Sequence, residues 1–129
     1  MKRRERLSGR RQFAAVRAER AAAGNPALRV HVRANGLGHA RLGFAIPKTL
    51  GGAVARNTVR RRLRAALEPR RGELAGLDVV VSTSPPALQL RFTELEAALW
   101  SAVGAARSRL AENGAVRPGP RRALMPAIA

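Results

Sequence analysis

Eight carboxylate side chains, two histidines and no cysteine are all that this 129-residue sequence offers for acid–base, nucleophilic or metal chemistry, and their spacing favours none of the three. A nuclease centre made of side chains needs clustered carboxylates to hold metal, or a histidine pair to move protons. Here the carboxylates are scattered. Asp78, the only aspartate, opens a valine-rich run and reads as structural or capping. Glu94 and Glu96 stand where a helix should begin and would complement its dipole. His31 and His39 flank a turn, a placement that suits solvent or RNA contact better than catalysis. No residue of the chain is therefore assigned a catalytic role, and no metal ligand is assigned. Without cysteine there are no disulfides or thiolate sites, which fits a reducing compartment.

The chemistry these residue types do support is the binding of a polyanion. Lysine plus arginine number 25, giving a formal net charge of +17, and only Lys2 and Lys48 among them are lysines. Such an excess repels itself and attracts nucleic acid, and guanidinium suits bidentate phosphate contacts and stacking on bases. The densest cluster is residues 53–65, AVARNTVRRRLRA, where Arg56, Arg60 and Arg64 recur every four residues with Asn57 and Arg61 beside them. At helical spacing they share a face, opposite Ala55, Val59, Leu63, Ala66 and Leu67. Like charges four apart weaken an isolated helix. An anionic ligand would relieve that repulsion.

The elements that must carry this face follow from periodicity. Residues 10–23 are rich in Ala and Arg, with Phe13 and Val16 on one side, and read as a short helix ended by Gly24-Asn25-Pro26. Leu28, Val30 and Val32 alternate with Arg29, His31 and Arg33 as in a half-buried strand, and a turn at residues 35–38 predicts a hairpin with a returning strand over 41–46. The basic helix occupies 53–68 and is closed by Pro69. Residues 77–83, LDVVVST, form a strand buried on both faces. Thr93 and Glu96 suggest a capping box before a last helix, whose inner side is Leu95, Ala98, Leu99, Ala102, Ala106 and Leu110. The expected order is α-β-β-α-β-α, an α/β (α+β) two-layer sandwich with a small mixed sheet. Residues 1–9 read as a flexible basic arm, 10–112 as a single RNA-binding domain, and 113–129 as a disordered basic tail. No apolar run long enough for a signal peptide or membrane span is seen, so a cytoplasmic protein without a membrane or obligate protein partner is expected.

The ordered pattern of residues 41–48, RLGFAIPK, followed by a glycine-containing loop and then Ala53-Val54-x-Arg56-Asn57-x-x-Arg60-Arg61-x-x-Arg64, resembles the signature of the bacterial ribonuclease P protein component. The resemblance runs from about residue 10 to 110, in the family's element order. It implies a fold in which the connection through the basic helix is left-handed, against the general rule for such crossovers. It also implies that Lys48, Arg56, Asn57, Arg60, Arg61 and Arg64 contact the catalytic ribonuclease P RNA. A cleft between the first helix and the sheet would hold the single-stranded 5′ leader of precursor tRNA, with Phe13 as a stacking aromatic. Where the family often has a second aromatic four residues later, this chain has Arg17, which can stack or pair with phosphate. Hydrolysis would then depend on magnesium ions held mainly by the RNA subunit. A ribosomal or ribosome-assembly protein would share the same composition, and co-purifying RNA would separate the two readings.

Overall fold

The structure is a computed structural model and describes residues 2–116, with side chains described as far as Asn113. Its elements are α1 (Gly9–Ala18), β1 (Ala22–Gly24), β2 (Leu28–Ala34), β3 (Arg41–Ala45), α2 (Ala53–Leu67), β4 (Leu77–Thr83) and α3 (Phe92–Val116), with short 3-10 turns at Arg3–Glu5, Lys48–Leu50, Glu68–Leu74 and Pro85–Gln89. The strands form one mixed four-stranded sheet in the order β1-β2-β4-β3.

That order overturns the hairpin expected from β2 and β3. β4 enters between them, antiparallel to β2 from Leu28↔Thr83 to Ala34↔Leu77, and parallel to β3 from Arg41↔Asp78 to Ala45↔Ser82. The reason is burial. Val79, Val80 and Val81 are fully buried, which an edge position could not provide. α2 therefore joins the parallel neighbours β3 and β4, and the turn at Asn35 carries the chain from β2 past β4 to β3 rather than closing a ladder. Asn35 gives its side-chain amide to the His39 carbonyl (3.2 Å) and to Asp78 (3.0 Å).

The alanine run after α1 is also not helical. α1 stops at Ala18, Arg20 adopts a left-handed backbone (φ 60°), and Ala22–Gly24 pairs antiparallel with β2. Helix propensity favours these alanines, but Ala21 and Ala23 gain burial in the main core, with β1 packed as an edge strand against α3. Gly24 is needed there because a Cβ would lie 2.6 Å from the Leu28 carbonyl oxygen. The last helix starts at Phe92, and its first turn is capped by Glu94, which accepts from the Arg91 N–H at 2.8 Å, not by the Thr93–Glu96 pair.

The two faces of the sheet are covered unequally. Val79 and Val81 of β4 and Leu28, Val30 and Val32 of β2 pack in the main core with Val59, Leu63 and Leu67 of α2 and Leu95, Leu99 and Val103 of α3. The other face carries only a small cluster, Val80 with Val16 of α1 and Leu7, edged by Phe13 and Ala45. The N-terminal residues join it where a flexible arm was expected. Leu7 is buried, its N–H donates to the Leu42 carbonyl (2.9 Å), and Arg6 bridges to Leu42 along the free edge of β3. α3 continues to Val116, past the point where a tail was expected to begin, and residues 117–129 of that tail lie outside the described residues.

Candidate nucleic-acid interface

α2 buries Val59, Leu63, Ala66 and Leu67 and turns its arginines outward or along its flanks. Asn57 and Arg61 are exposed, as is Lys48 in the turn before the helix, while Arg56, Arg60 and Arg64 are half-buried. Arg56 is tied back, its Nε donating to the Gly51 carbonyl at 3.2 Å. Arg60 donates to Oδ1 of Asn57 (2.9 Å), so the asparagine positions a guanidinium rather than interrupting the row. Arg62 leans the other way and donates to the Leu90 carbonyl (3.0 Å), which removes it from the cationic face. The helix end is held by Trp100, whose Nε1–H donates to the Ala66 carbonyl (3.0 Å) beneath the guanidinium of Arg70, 4.0 Å from the ring centre.

Acidic partners lie elsewhere. Among the described residues the ion pairs are Arg41–Asp78, Arg70–Glu73, Arg71–Glu5 and Arg71–Glu68. Asp78 is fully buried and holds Arg41 by two bonds of 2.8 and 2.7 Å, the structural role expected of it. A hydrogen bond from the Lys2 backbone N–H, then the Arg71 guanidinium, keep Glu5 ionised below the usual carboxylate range. The bond from Arg70 does the same for Glu73. These pairs gather around the start of β3 and β4 and the turn after α2. None includes Arg56, Arg60, Arg61 or Arg64. Among the described residues no group of three or more His, Asp or Glu is placed to hold a metal ion.

The second feature is the thinly covered sheet face. Register places its outward residues in rows: Arg29–Ser82–Ala45, His31–Val80–Gly43 and Arg33–Asp78–Arg41. α1 lies over the middle row. Phe13 can approach because residue 43 is glycine, where an added Cβ would meet the ring at 2.6 Å. One turn further along α1, the exposed Arg17 reaches across to the Ser82 hydroxyl at 3.5 Å, and with Ala45, Ile46, Pro47 and Thr83 it lines a cleft of about 360 Å³. His31 lies under α1 with Nδ1 buried and without a hydrogen-bond partner. Burial, then Arg17 and Arg29, push its proton affinity down. Phe13 is neither free on the surface nor a core residue; it is half-buried at the mouth of a second hollow beside Arg60 and Arg64.

Of the expected residues, the structure brings Phe13, Arg60 and Arg64 together, sets Arg17 in the adjacent cleft, and leaves Asn57, Arg61 and Lys48 on the outer surface. Sequence reasoning did not find Arg6, Phe44, Ser82 or Thr83, which join these hollows only through the strand order. Residues 77–83 were expected to be buried on both faces, and that expectation gave Ser82 no separate place.

Fold and surface together define a small mixed α/β protein built to bind a polyanion, with unpaired guanidinium groups beside an aromatic-edged cleft. The family model described as Ribonuclease P matches residues 1–107 of the chain. The chain belongs to the ribonuclease P protein family. It is 41% identical over 83 residues to the ribonuclease P protein component of Kocuria rhizophila, covering 64% of this chain and 74% of that protein. To the component of Shouchella clausii it is 34% identical over 101 residues, 77% of this chain and 83% of the relative. With several other relatives the matched stretch is about half of their length. The solved RNase P protein of Thermotoga maritima superposes with a TM-score of 0.68 at 27% identity, over 75% of this chain and 93% of that one. The family match favours ribonuclease P over the ribosomal alternative.

Proposed function

We propose that this chain is the protein subunit of a ribonuclease P ribonucleoprotein, binding a catalytic RNA and the 5′ leader of precursor tRNA and assisting magnesium-dependent removal of that leader. The observation that carries this reading is the set of α2 guanidinium groups without acidic partners, two of which, Arg60 and Arg64, line a hollow with Phe13 of α1 and with β3. Family membership supports the partner class. The outer face of α2, with Asn57, Arg61 and nearby Lys48, neutralises phosphates of the catalytic RNA, and Arg56 fixes the loop before the helix. Arg17 and Ser82 orient an unpaired strand in the cleft by charge and hydrogen bonding, and Phe13 offers a ring edge to its bases. The carboxylates are engaged by arginines or dispersed and do not suit a magnesium site. No step of the hydrolysis is assigned to a side chain, and magnesium belongs with the RNA subunit.

The test is reconstitution with the cognate catalytic RNA and a leader-removal assay at low magnesium. The protein should restore cleavage that the RNA performs poorly alone under those conditions, while RNA-free protein leaves precursor tRNA intact. Cleavage by the protein alone would contradict the assignment of roles, and co-purification with ribosomal RNA would overturn the assignment itself. Cellular placement follows the partners and is proposed as cytoplasmic; among the described residues no helix is long and apolar enough to cross a membrane.

A further inference from the structure

The residues before α1 form a strap that is tied down along its length. Arg6 bridges to Leu42 and the Leu7 N–H donates to the Leu42 carbonyl, so this pair covers the free edge of β3. Nε2 of His39 donates to the Arg4 carbonyl at 3.1 Å, and the Ser8 N–H donates to the Gln12 side chain at 2.7 Å. Glu5 is the one carboxylate in residues 2–8. It accepts from the Lys2 N–H (3.0 Å) and from Arg71 (2.8 Å), which fastens the strap to the turn after α2. Protection of a sheet edge accounts for the contacts at Leu42. It does not account for the arginines at positions 3, 4 and 6.

The strap sorts those charges by its conformation. Side chains three apart in a 3-10 turn fall on one side, so Arg3 shares a side with Arg6 while Glu5 turns to Arg71. Arg3, Arg6, Leu7 and Ser8 line a hollow of about 340 Å³. Arg6 and Leu7 also line the hollow of about 190 Å³ that holds Arg60 and Arg64. The two hollows therefore share a wall, and four guanidinium groups border them with no carboxylate in either lining. Neither has a lining residue in common with the cleft beside Arg17. None of the four arginines enters an ion pair among the described residues. The buried Nε of Arg64 also lacks a hydrogen-bond partner, although buried donors are nearly always paired. An acceptor from outside the chain fits both observations.

We propose that residues 2–8 are a clasp that extends the RNA-binding face of α2, with Arg3 and Arg6 gripping the phosphodiester backbone of the catalytic RNA beside Arg60 and Arg64, and with Glu5 as the latch that positions them. The proposal rests on the reading that α2 faces that RNA. The occupant is a chain of phosphates rather than a single ion, because the cations are spread along two joined hollows instead of converging on one point. Glu5 is a positioning residue and touches no RNA. As a bare charge it opposes RNA binding, whereas as a latch it favours binding by holding two arginines in place. The two roles predict opposite signs when its charge is removed.

The affinity of the full chain for its cognate catalytic RNA, measured over a series of salt concentrations, tests the clasp. Arg6→Ala should weaken binding about tenfold, the contribution of one charge-assisted phosphate contact, and should shallow the log-log salt slope by roughly 0.7 to 0.9. Glu5→Gln should also weaken binding and shallow the slope, although it deletes an anion. Added to a chain that already carries Arg3→Ala and Arg6→Ala, Glu5→Gln should bring no further weakening, because it acts through those two side chains. Arg3 and Arg6 are exposed, so their double variant should keep the urea midpoint of the unsubstituted chain and decides the matter even where Glu5→Gln unfolds. Unchanged affinity and slope in that double variant overturn the proposal, and tighter binding by Glu5→Gln overturns the latch. A double variant that keeps its hold on the catalytic RNA while the holoenzyme loses affinity for precursor tRNA assigns the strap to the substrate, which also sinks the clasp. Failure of the unsubstituted chain to bind the catalytic RNA is a different result. It removes the reading of α2, and the clasp with it.

Discussion

At residue 43 one hydrogen atom decides where an aromatic ring can rest. A Cβ there would stand 2.6 Å from Cζ and 3.0 Å from Cε2 of Phe13, and 3.1 Å from Cβ of Leu7, so α1 or the ring must move. Gly43→Ala should cost about 1–3 kcal/mol in urea unfolding, and Phe13→Leu in the same chain should recover part of it. Simple additivity of the two changes would mean the ring does not rest on that glycine. His31 gives a separate expectation in pH. Its proton affinity is lowered in the fold by burial and by Arg17 and Arg29, so between its folded value and the unfolded value of about 6.5 the unfolded chain binds more protons. Stability is then full above that range and declines as pH falls through it. Glu5 and Glu73, also lowered, lose their contributions only at more acid pH, as pH falls below the ordinary carboxylate range. His31→Gln should flatten the change in urea midpoint between neutral and mildly acid pH. An unchanged slope would show that the ring is open to water in the native state.

The C-terminal end of α2, besides its core packing on α3, receives a hydrogen bond from Trp100 of α3. Trp100→Phe keeps most of the apolar volume, removes the donor to the Ala66 carbonyl and weakens the platform under Arg70. A loss of about 1 kcal/mol should lower Tm by about 4 °C in a domain of this size, measured by far-ultraviolet circular dichroism because the chain has no other tryptophan. An unchanged Tm would mean that solvent replaces the bond. Elements of this kind were largely legible. The α2 period, the valine-rich interior strand and the apolar side of α3 all have the positions that spacing predicted, because each signal is local. Pairing was not legible, since alternation at Leu28, Val30 and Val32 reports a half-buried strand without naming its neighbour, and the true neighbour arrives from more than forty residues later. β1 was missed for the opposite reason: the alanines prefer helix, and only the left-handed turn at Arg20 and pairing with β2 override them. The second hollow draws on positions 6, 13, 42–44, 60 and 64, so no sequence window contains it.

Over the whole molecule, charge is sorted rather than merely abundant. The net charge of +17 is relieved by ion pairs near the start of β3 and β4 and the turn after α2, whereas the α2 face, Arg17 and Lys48 have no carboxylate among the described ion pairs. Salt should therefore act with opposite signs on two measurements. In the isolated protein, added monovalent salt screens repulsion between unpaired guanidinium groups and should raise Tm. In the complex it competes with phosphate binding, so log affinity for RNA should fall linearly with log salt, by roughly 0.7 to 0.9 per phosphate contacted. Removing Arg61 should shallow that slope by about one contact while slightly stabilising the isolated chain, since it deletes a repelling charge without deleting a protein bond. A slope unaffected by Arg61→Ala, or a Tm that drops with salt, would mean the unpaired arginines are not the groups that meet phosphate. The affinity of the fold for RNA would then have to come from somewhere other than the face on which its charge is least relieved.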